Sequence, residues 1–153
     1  FVEVNKNSLV VGVDISKRMI KRAWKMRGEN TIFLVGDAEH LPFRNRVFDL
    51  VMMWAAWGII NPKEAVPEMI RTIKEGGNVA ICEVETHLSK IPYLRPFFIP
   101  FSIFERFFRE GAQEDLPAPK DFLEKLGLHP VRCLKLRKSI AEIELTLGEK
   151  QGS

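Results

Sequence analysis

Two carboxylates, Asp14 and Asp37, stand where short apolar runs end. Leu9–Val13 runs directly into Asp14, and Thr31–Val35 into Gly36-Asp37. An amphipathic segment separates the two runs, and another apolar run begins at Asp49. This order predicts strand, helix, strand, loop and strand, the pattern of a parallel sheet with crossover connections. In such sheets ligands bind outside the carboxyl ends of the strands, where both aspartates would stand. A carboxylate at that edge can accept two hydrogen bonds from a vicinal diol, and charge-assisted bonds of this kind are the strong ones. The same residues have a purely local use as well. Asp14 before Ile15-Ser16 can cap a helix, and Gly36-Asp37 suits a turn.

The elements that must carry these residues can be read in order. Leu9–Val13 is continuous and apolar, as expected of a strand buried on both faces. Ser16 is a plausible N-cap for a helix in which Met19, Ile20, Ala23 and Trp24 recur at helical spacing, with Lys17, Arg18, Lys21, Arg22 and Lys25 outward and Gly28 as the stop. The basic face suits a solvated helix surface better than an acidic partner. Ile32–Val35 is the second strand. In the loop that follows, Gly36–Phe43, Pro42 forbids helix continuation. Phe48–Met53 is the third strand.

Asn61-Pro62-Lys63-Glu64 reads as a helix start, with Asn61 as cap, Pro62 at the first helical position and Glu64 closing a capping box. Ala65, Val66, Met69, Ile70 and Ile73 form its apolar face. Pro67 predicts a kink or a later true start. Glu75-Gly76-Gly77 ends the helix, and Asn78–Val84 is a fourth strand.

These pieces together resemble the class I S-adenosylmethionine-dependent methyltransferases: VVGVDIS, then GDAEHLPF, then FDLV, then a proline-initiated helix ending in IKEGGNVAICEVE. The likeness is greatest to the small-molecule branch that includes the ubiquinone and menaquinone biosynthesis enzymes, and it covers roughly residues 9–85. It implies a Rossmann-like three-layer α/β fold, a mostly parallel sheet with a closing antiparallel hairpin. It implies S-adenosylmethionine as cofactor, with Asp14 on the ribose hydroxyls, Asp37 on the adenine amino group, the Ala38 N–H beside the ring, and Ile15 and Met19 against its face. Trp54 and Trp57 would line the pocket near the transferring methyl, where an aromatic face favours a cationic sulfonium. Core packing is the competing role for at least one of the two.

The family's glycine-rich loop belongs at the end of a strand preceding Val10. Residues 1–8 hold no glycine and are too few for a strand and a helix. The chain, which begins with Phe1, is therefore expected to be an N-terminally incomplete single domain over residues 1–153. Many relatives carry histidines after the third strand of this chain, and Trp54–Ile60 has none, so the resemblance supplies no general base. Methyl transfer from a sulfonium is an in-line displacement that can proceed largely by positioning. No catalytic residue is assigned.

Residues 86–118 read as an apolar cap. Ile91–Phe108 holds six of the eleven phenylalanines. Phe97, Phe101 and Phe104, with Tyr93 and Trp57, are the candidates for contact with a small apolar or aromatic acceptor. A dimer surface, a membrane-surface patch or ordinary core are the other uses of such a stretch. A helix over Lys120–Leu126, ended by Gly127, and two closing strands, Pro130–Arg137 and Ile140–Leu147, complete the chain. In the last strand Ile143, Leu145 and Leu147 alternate with Glu142, Glu144 and Thr146, the period of a half-exposed strand.

Composition sets outer bounds. Twenty-three basic against 20 acidic residues, mixed along the chain, leave a net charge of +3 and no basic stripe of a nucleic-acid binder. No apolar run is long enough to span a bilayer. Cys82 and Cys133 lie in separate apolar runs without metal-ligand spacing and read as reduced core residues of a cytoplasmic protein. His40, His87 and His129 have no partners at ligand spacing, and only His87 is a faint catalytic candidate. Two rival functions remain: a non-catalytic methyltransferase-like scaffold, and a nicotinamide-dependent oxidoreductase, in which an acidic residue after the second strand also binds ribose.

Overall fold

The computed structural model describes residues 8–86, 117–138 and 141–152. Its elements are β1 (Val10–Asp14), α1 (Lys17–Lys25), β2 (Thr31–Val35), β3 (Phe48–Trp54), α2 (Pro62–Thr72), β4 (Ile73–Thr86), α3 (Pro119–Lys125), β5 (Leu128–Lys138) and β6 (Ala141–Lys150). Tyr93, Phe97, Phe101, Phe104 and His87, and nearly all of the cap over 86–118, lie outside the described residues.

The strands form two sheets. β1 and β2 pair in parallel, and a second sheet runs β3-β4-β6-β5. Within it β3 and β4 are parallel, while β6 is antiparallel to both β4 and β5, so the expected closing hairpin is present. The expected single sheet is divided, because no described strand pairs with both β1 and β3. That division also corrects the burial expected of the first strand. Val10–Val13 are only half-buried and Leu9 is exposed, since among the described residues β1 has one ladder partner and one helix against it.

α1 is fastened to its sheet through side chains that the sequence supplies at the right spacing. The Ser16 hydroxyl accepts from the Met19 N–H at 3.3 Å, completing the predicted N-cap. Arg22 and Lys25 sit in the last turn, where positive charge complements the helix dipole. The helix ends at Lys25, short of Gly28, whose carbonyl instead accepts from the Thr31 hydroxyl. Gly12 lies opposite Phe33, and a Cβ on Gly12 would stand 2.7 Å from the Phe33 ring, so only glycine lets that ring lie over β1. Trp24 meets Phe33 edge-on and donates its indole N–H to the Phe33 carbonyl at 3.2 Å.

The main core lies on one face of the four-stranded sheet. Met53, Val79 and Ile81 pack there against Ala65, Val66 and Met69 of α2, Leu123 of α3, Leu128 and Trp57. Leu50, Met52 and Trp54 alternate with Val51 and Met53 along β3 and are exposed. A helix layer over that second face is not among the described residues. The alternation expected of the last strand is inverted near its end: Thr146 is buried, while Ile143, Leu145 and Leu147 are half-buried. β6 is an interior strand, and its Thr146/Gly148 side faces the helices, with Gly148 close against Leu128 and Leu123.

α2 runs unbroken from Pro62 to Thr72 with Pro67 inside it, so the later start expected from Pro67 does not occur. The helix passes straight into β4 at Ile73, two residues before the expected Glu75 stop. The double glycine instead makes an irregularity in the β3–β4 ladder, where Phe48 pairs with Ile73 and Leu50 already with Asn78. Gly76 has φ +73°, and a Cβ on Gly77 would collide with Ile73 and crowd the Asp49 carbonyl.

Candidate nucleoside site at the carboxyl edge of the parallel strands

Parallel pairing places Asp14 opposite Val35, so Asp14 and the loop holding Asp37 leave the same edge of the β1–β2 sheet. Each aspartate uses one oxygen locally. Asp14 Oδ1 accepts from the Ser16 N–H at 2.7 Å, and Asp37 Oδ1 from the Glu39 N–H at 2.9 Å. These are Asx turns, the local role that the sequence allowed. The turn role leaves the other oxygen available. Among the described residues, Asp14 Oδ2 takes no hydrogen bond, and Asp37 Oδ2 has only the exposed His40 ring at 3.7 Å. The Ala38 N–H donates to no protein group among the described residues. Its side chain packs on the main core, which fixes the backbone beside it.

Ile15 and Met19 are both exposed at this edge, 74% and 48% respectively. That exposure suits residues awaiting a flat apolar ligand, with nothing in the described protein covering them. A shallow cavity between β1 and α1, lined by Gly12, Asp14, Met19, Ile20, Ala23 and Phe33, continues inward from them. The two tryptophans separate sharply. Ala55 takes φ +48° and donates its N–H to the Cys82 carbonyl at 2.7 Å, turning the chain just past β3. Trp54 is left outside with more than half its surface exposed, whereas Trp57 is buried edge-on to Phe122 at 5.6 Å. The structure thus shows the packing role for Trp57 and an open face for Trp54.

Sequence reasoning missed the residues that hold the Asp37 loop. A capping box would give the Asn61 N–H to Glu64, but Glu39 Oε1 takes it at 2.8 Å. Glu64 accepts instead from the Asn61 side-chain amide at 3.0 Å, and Asn61 Oδ1 still caps through the Lys63 N–H. Glu39 thereby ties the loop after β2 to the start of α2. No local spacing announces this bond, because it joins residues 22 apart.

Cys133 is a second correction. It is a free thiol, as expected, but lies exposed on the outer strand β5. Its thiol donates to Glu144 Oε1 at 3.0 Å, and the adjacent carboxylate pushes its pKa up. Cys82 is buried, and burial pushes its thiol up too. Among the described residues, no group of three or more His, Cys, Asp or Glu is placed to hold a metal ion. No described helix is long and apolar enough to cross a membrane.

A family model described as a methyltransferase domain matches residues 2–81, just over half of the chain. The chain belongs to the methyltransferase-domain family. It is 36% identical over 95 residues to a demethylmenaquinone methyltransferase of Renibacterium salmoninarum, covering 60% of this chain and 35% of that protein. It is 26% identical over 156 residues to a ubiquinone/menaquinone biosynthesis C-methyltransferase of Wigglesworthia glossinidia brevipalpis, covering 95% of this chain and 60% of that one. The chain thus spans between about a third and three fifths of the length of these curated relatives. Among solved structures it is similar to a SAM-dependent methyltransferase of Thermotoga maritima, with a TM-score of 0.64, 23% identity, and 93% of this chain against 73% of that one. A SAM-dependent methyltransferase of Methanosarcina mazei matches with a TM-score of 0.59, 18% identity, and 94% against 82%. These neighbours show the Rossmann-like methyltransferase fold, which the closing β5–β6 hairpin already indicated.

Proposed function

We propose that the edge holding Asp14 and Asp37 is the adenosine half of an S-adenosylmethionine site in a protein that methylates a small apolar or aromatic acceptor. The observation that carries this reading is the pair of aspartates at one sheet edge, each with one oxygen committed to its own turn and the other left for a ligand. A nucleoside suits that donor set. The ribose diol would donate to Asp14 Oδ2 and the adenine amino group to Asp37. The Ala38 N–H would face a ring nitrogen, and Ile15 and Met19 would cover the ring.

When bound, S-adenosylmethionine supplies a methyl carbon made electrophilic by the attached sulfonium. With Asp14, Asp37 and the Ala38 N–H holding its adenosine, it would supply in-line methyl transfer, in which the sulfonium sulfur is the leaving group and keeps the bonding electron pair. The protein's contribution is alignment and a dry, apolar surface. The exposed ring of Trp54, at the carboxyl end of β3, would stand against the sulfonium. Tyr93, Phe97, Phe101 and Phe104 are proposed as the acceptor's wall, Trp57 being committed to the core beneath. The relatives named for demethylmenaquinone and for ubiquinone/menaquinone biosynthesis support an acceptor of the quinone class.

The test is calorimetric titration of S-adenosylhomocysteine into the full-length protein and its D14N and D37N variants. Micromolar-range binding by the parent is expected, with each amide weakening it on the order of tenfold by removing one charge-assisted acceptor. Absence of binding by the parent would discard the reading. Methyl transfer to a demethylated quinone, followed by mass spectrometry, then tests the acceptor class.

A further inference from the structure

We propose that Glu68 and Arg71 of α2 are positioning residues for the adenine end of the site, acting through the loop over residues 36–47. This inference rests on the nucleoside reading of Asp37. Arg71 offers five N–H donors, and the structure gives each an acceptor. Nε and one Nη2 hydrogen bond the two oxygens of Glu68, at 2.6 and 2.8 Å. Nη1 donates to the Phe43 carbonyl at 2.7 Å and to Asn45 Oδ1 at 2.8 Å, and Nη2 also reaches the Leu41 carbonyl at 3.0 Å. Glu68 Oε2 in turn accepts from the Leu41 N–H at 2.9 Å. A guanidinium and a carboxylate on one helical turn thus hold Leu41 by both its backbone groups and hold Phe43 and Asn45 as well.

This arrangement matters because the loop is long and has no ladder of its own to hold it, apart from the single Asp37–His40 bridge. Loops of this length are either functional or disordered unless something fixes them. Glu39 fastens the stretch beside Asp37 to the start of α2, and the Glu68–Arg71 pair fastens the stretch beyond it near the helix's far end. Held at both ends of α2, the loop presents Asp37 and Ala38 in one conformation. The pair is half-buried, which strengthens its bonds relative to an exposed pair, and the Arg71 hydrogen bond holds the Glu68 carboxyl below its usual range. Lysine cannot replace arginine here, since an ammonium has three donors and no planar fork.

The experiment compares the affinities of S-adenosylhomocysteine and S-inosylhomocysteine, which lacks the amino group, for the full-length parent, R71K and E68Q. The parent should prefer the adenosyl ligand by on the order of tenfold, the worth of the bond to Asp37. In R71K and E68Q that preference should fall toward unity, because a loosened loop no longer fixes the acceptor. General destabilisation would weaken both ligands alike and leave their ratio unchanged, so an unchanged ratio in both variants overturns the proposal. E68Q, which preserves shape, keeps the test decisive if R71K does not fold. A parent that binds the adenosyl ligand without preferring it refutes the Asp37 assignment, and the inference falls with it. Hydrogen exchange at the Leu41 amide, faster in E68Q than in the parent, reports the loosening without any ligand.

Discussion

Glu39 Oε1 accepts the backbone N–H of Asn61 at 2.8 Å, so the cap of α2 is completed by a residue of the loop that carries Asp37. The helix start and the candidate nucleoside site are therefore one structural unit. Glu39→Gln should lower stability by about 1 kcal/mol, the worth of a hydrogen bond to a charged acceptor in a half-buried setting. Glu64→Gln should change it by only a few tenths of a kcal/mol, since Glu64 holds an exposed side-chain amide. Urea titration of the two variants separates them, and equal effects would restore the local capping box.

Stability should depend on pH through Glu68. Its carboxyl is held below the usual 4.5, first by the hydrogen bond from Arg71. A folded-state value below the unfolded one means that this contribution is fully present above the unfolded value. It is lost as pH falls through the folded value, because the unfolded chain takes up the proton first. Thermal melting should therefore fall on acidification below about pH 4.5. In E68Q that acid limb should be shallower. A parallel decline in parent and variant would remove Glu68 as a cause.

Backbone conformation gives a pair of opposite expectations. Ala55 is held at φ +48°, a region that costs a residue with a Cβ about 1–2 kcal/mol, so Ala55→Gly should raise stability by about 0.5 kcal/mol after glycine's own entropy cost. Gly12→Val should lower it by about 2 kcal/mol, because the new side chain would displace the Phe33 ring that Trp24 packs on. Melting curves of both variants check the signs.

Thiol chemistry should report the Cys133–Glu144 contact. Cys133 is exposed, yet its proton is held by the carboxylate at 3.0 Å, so alkylation by iodoacetamide at neutral pH should be slow. Glu144→Gln removes the negative charge and should speed labelling of Cys133 several-fold while leaving buried Cys82 unreactive. Mass spectrometry of the labelled peptides resolves the two sites.

Much of this protein was legible in local pattern. Apolar runs ending on Asp14 and Asp37, the Ser16 and Asn61 caps, and Gly127 at φ +81° after α3 depend on neighbours within a few residues. Backbone geometry and hydrophobic period act at that range, so the amino-acid sequence by itself determined the order of elements and the placement of both aspartates at strand ends. Tertiary structure decided what required distant partners. Trp54 and Trp57 are chemically equivalent in the chain, and only the turn at Ala55 sends one outward and the other onto Phe122. Thr146 is buried because β6 is an interior strand, a fact of pairing that its alternation cannot reveal. The clasp on the Asp37 loop joins Leu41 to Glu68 and Phe43 to Arg71, separations of 27 and 28 residues. Hydrogen bonds of that span follow from how the crossover packs, and packing is settled only when the whole sheet and its helices meet.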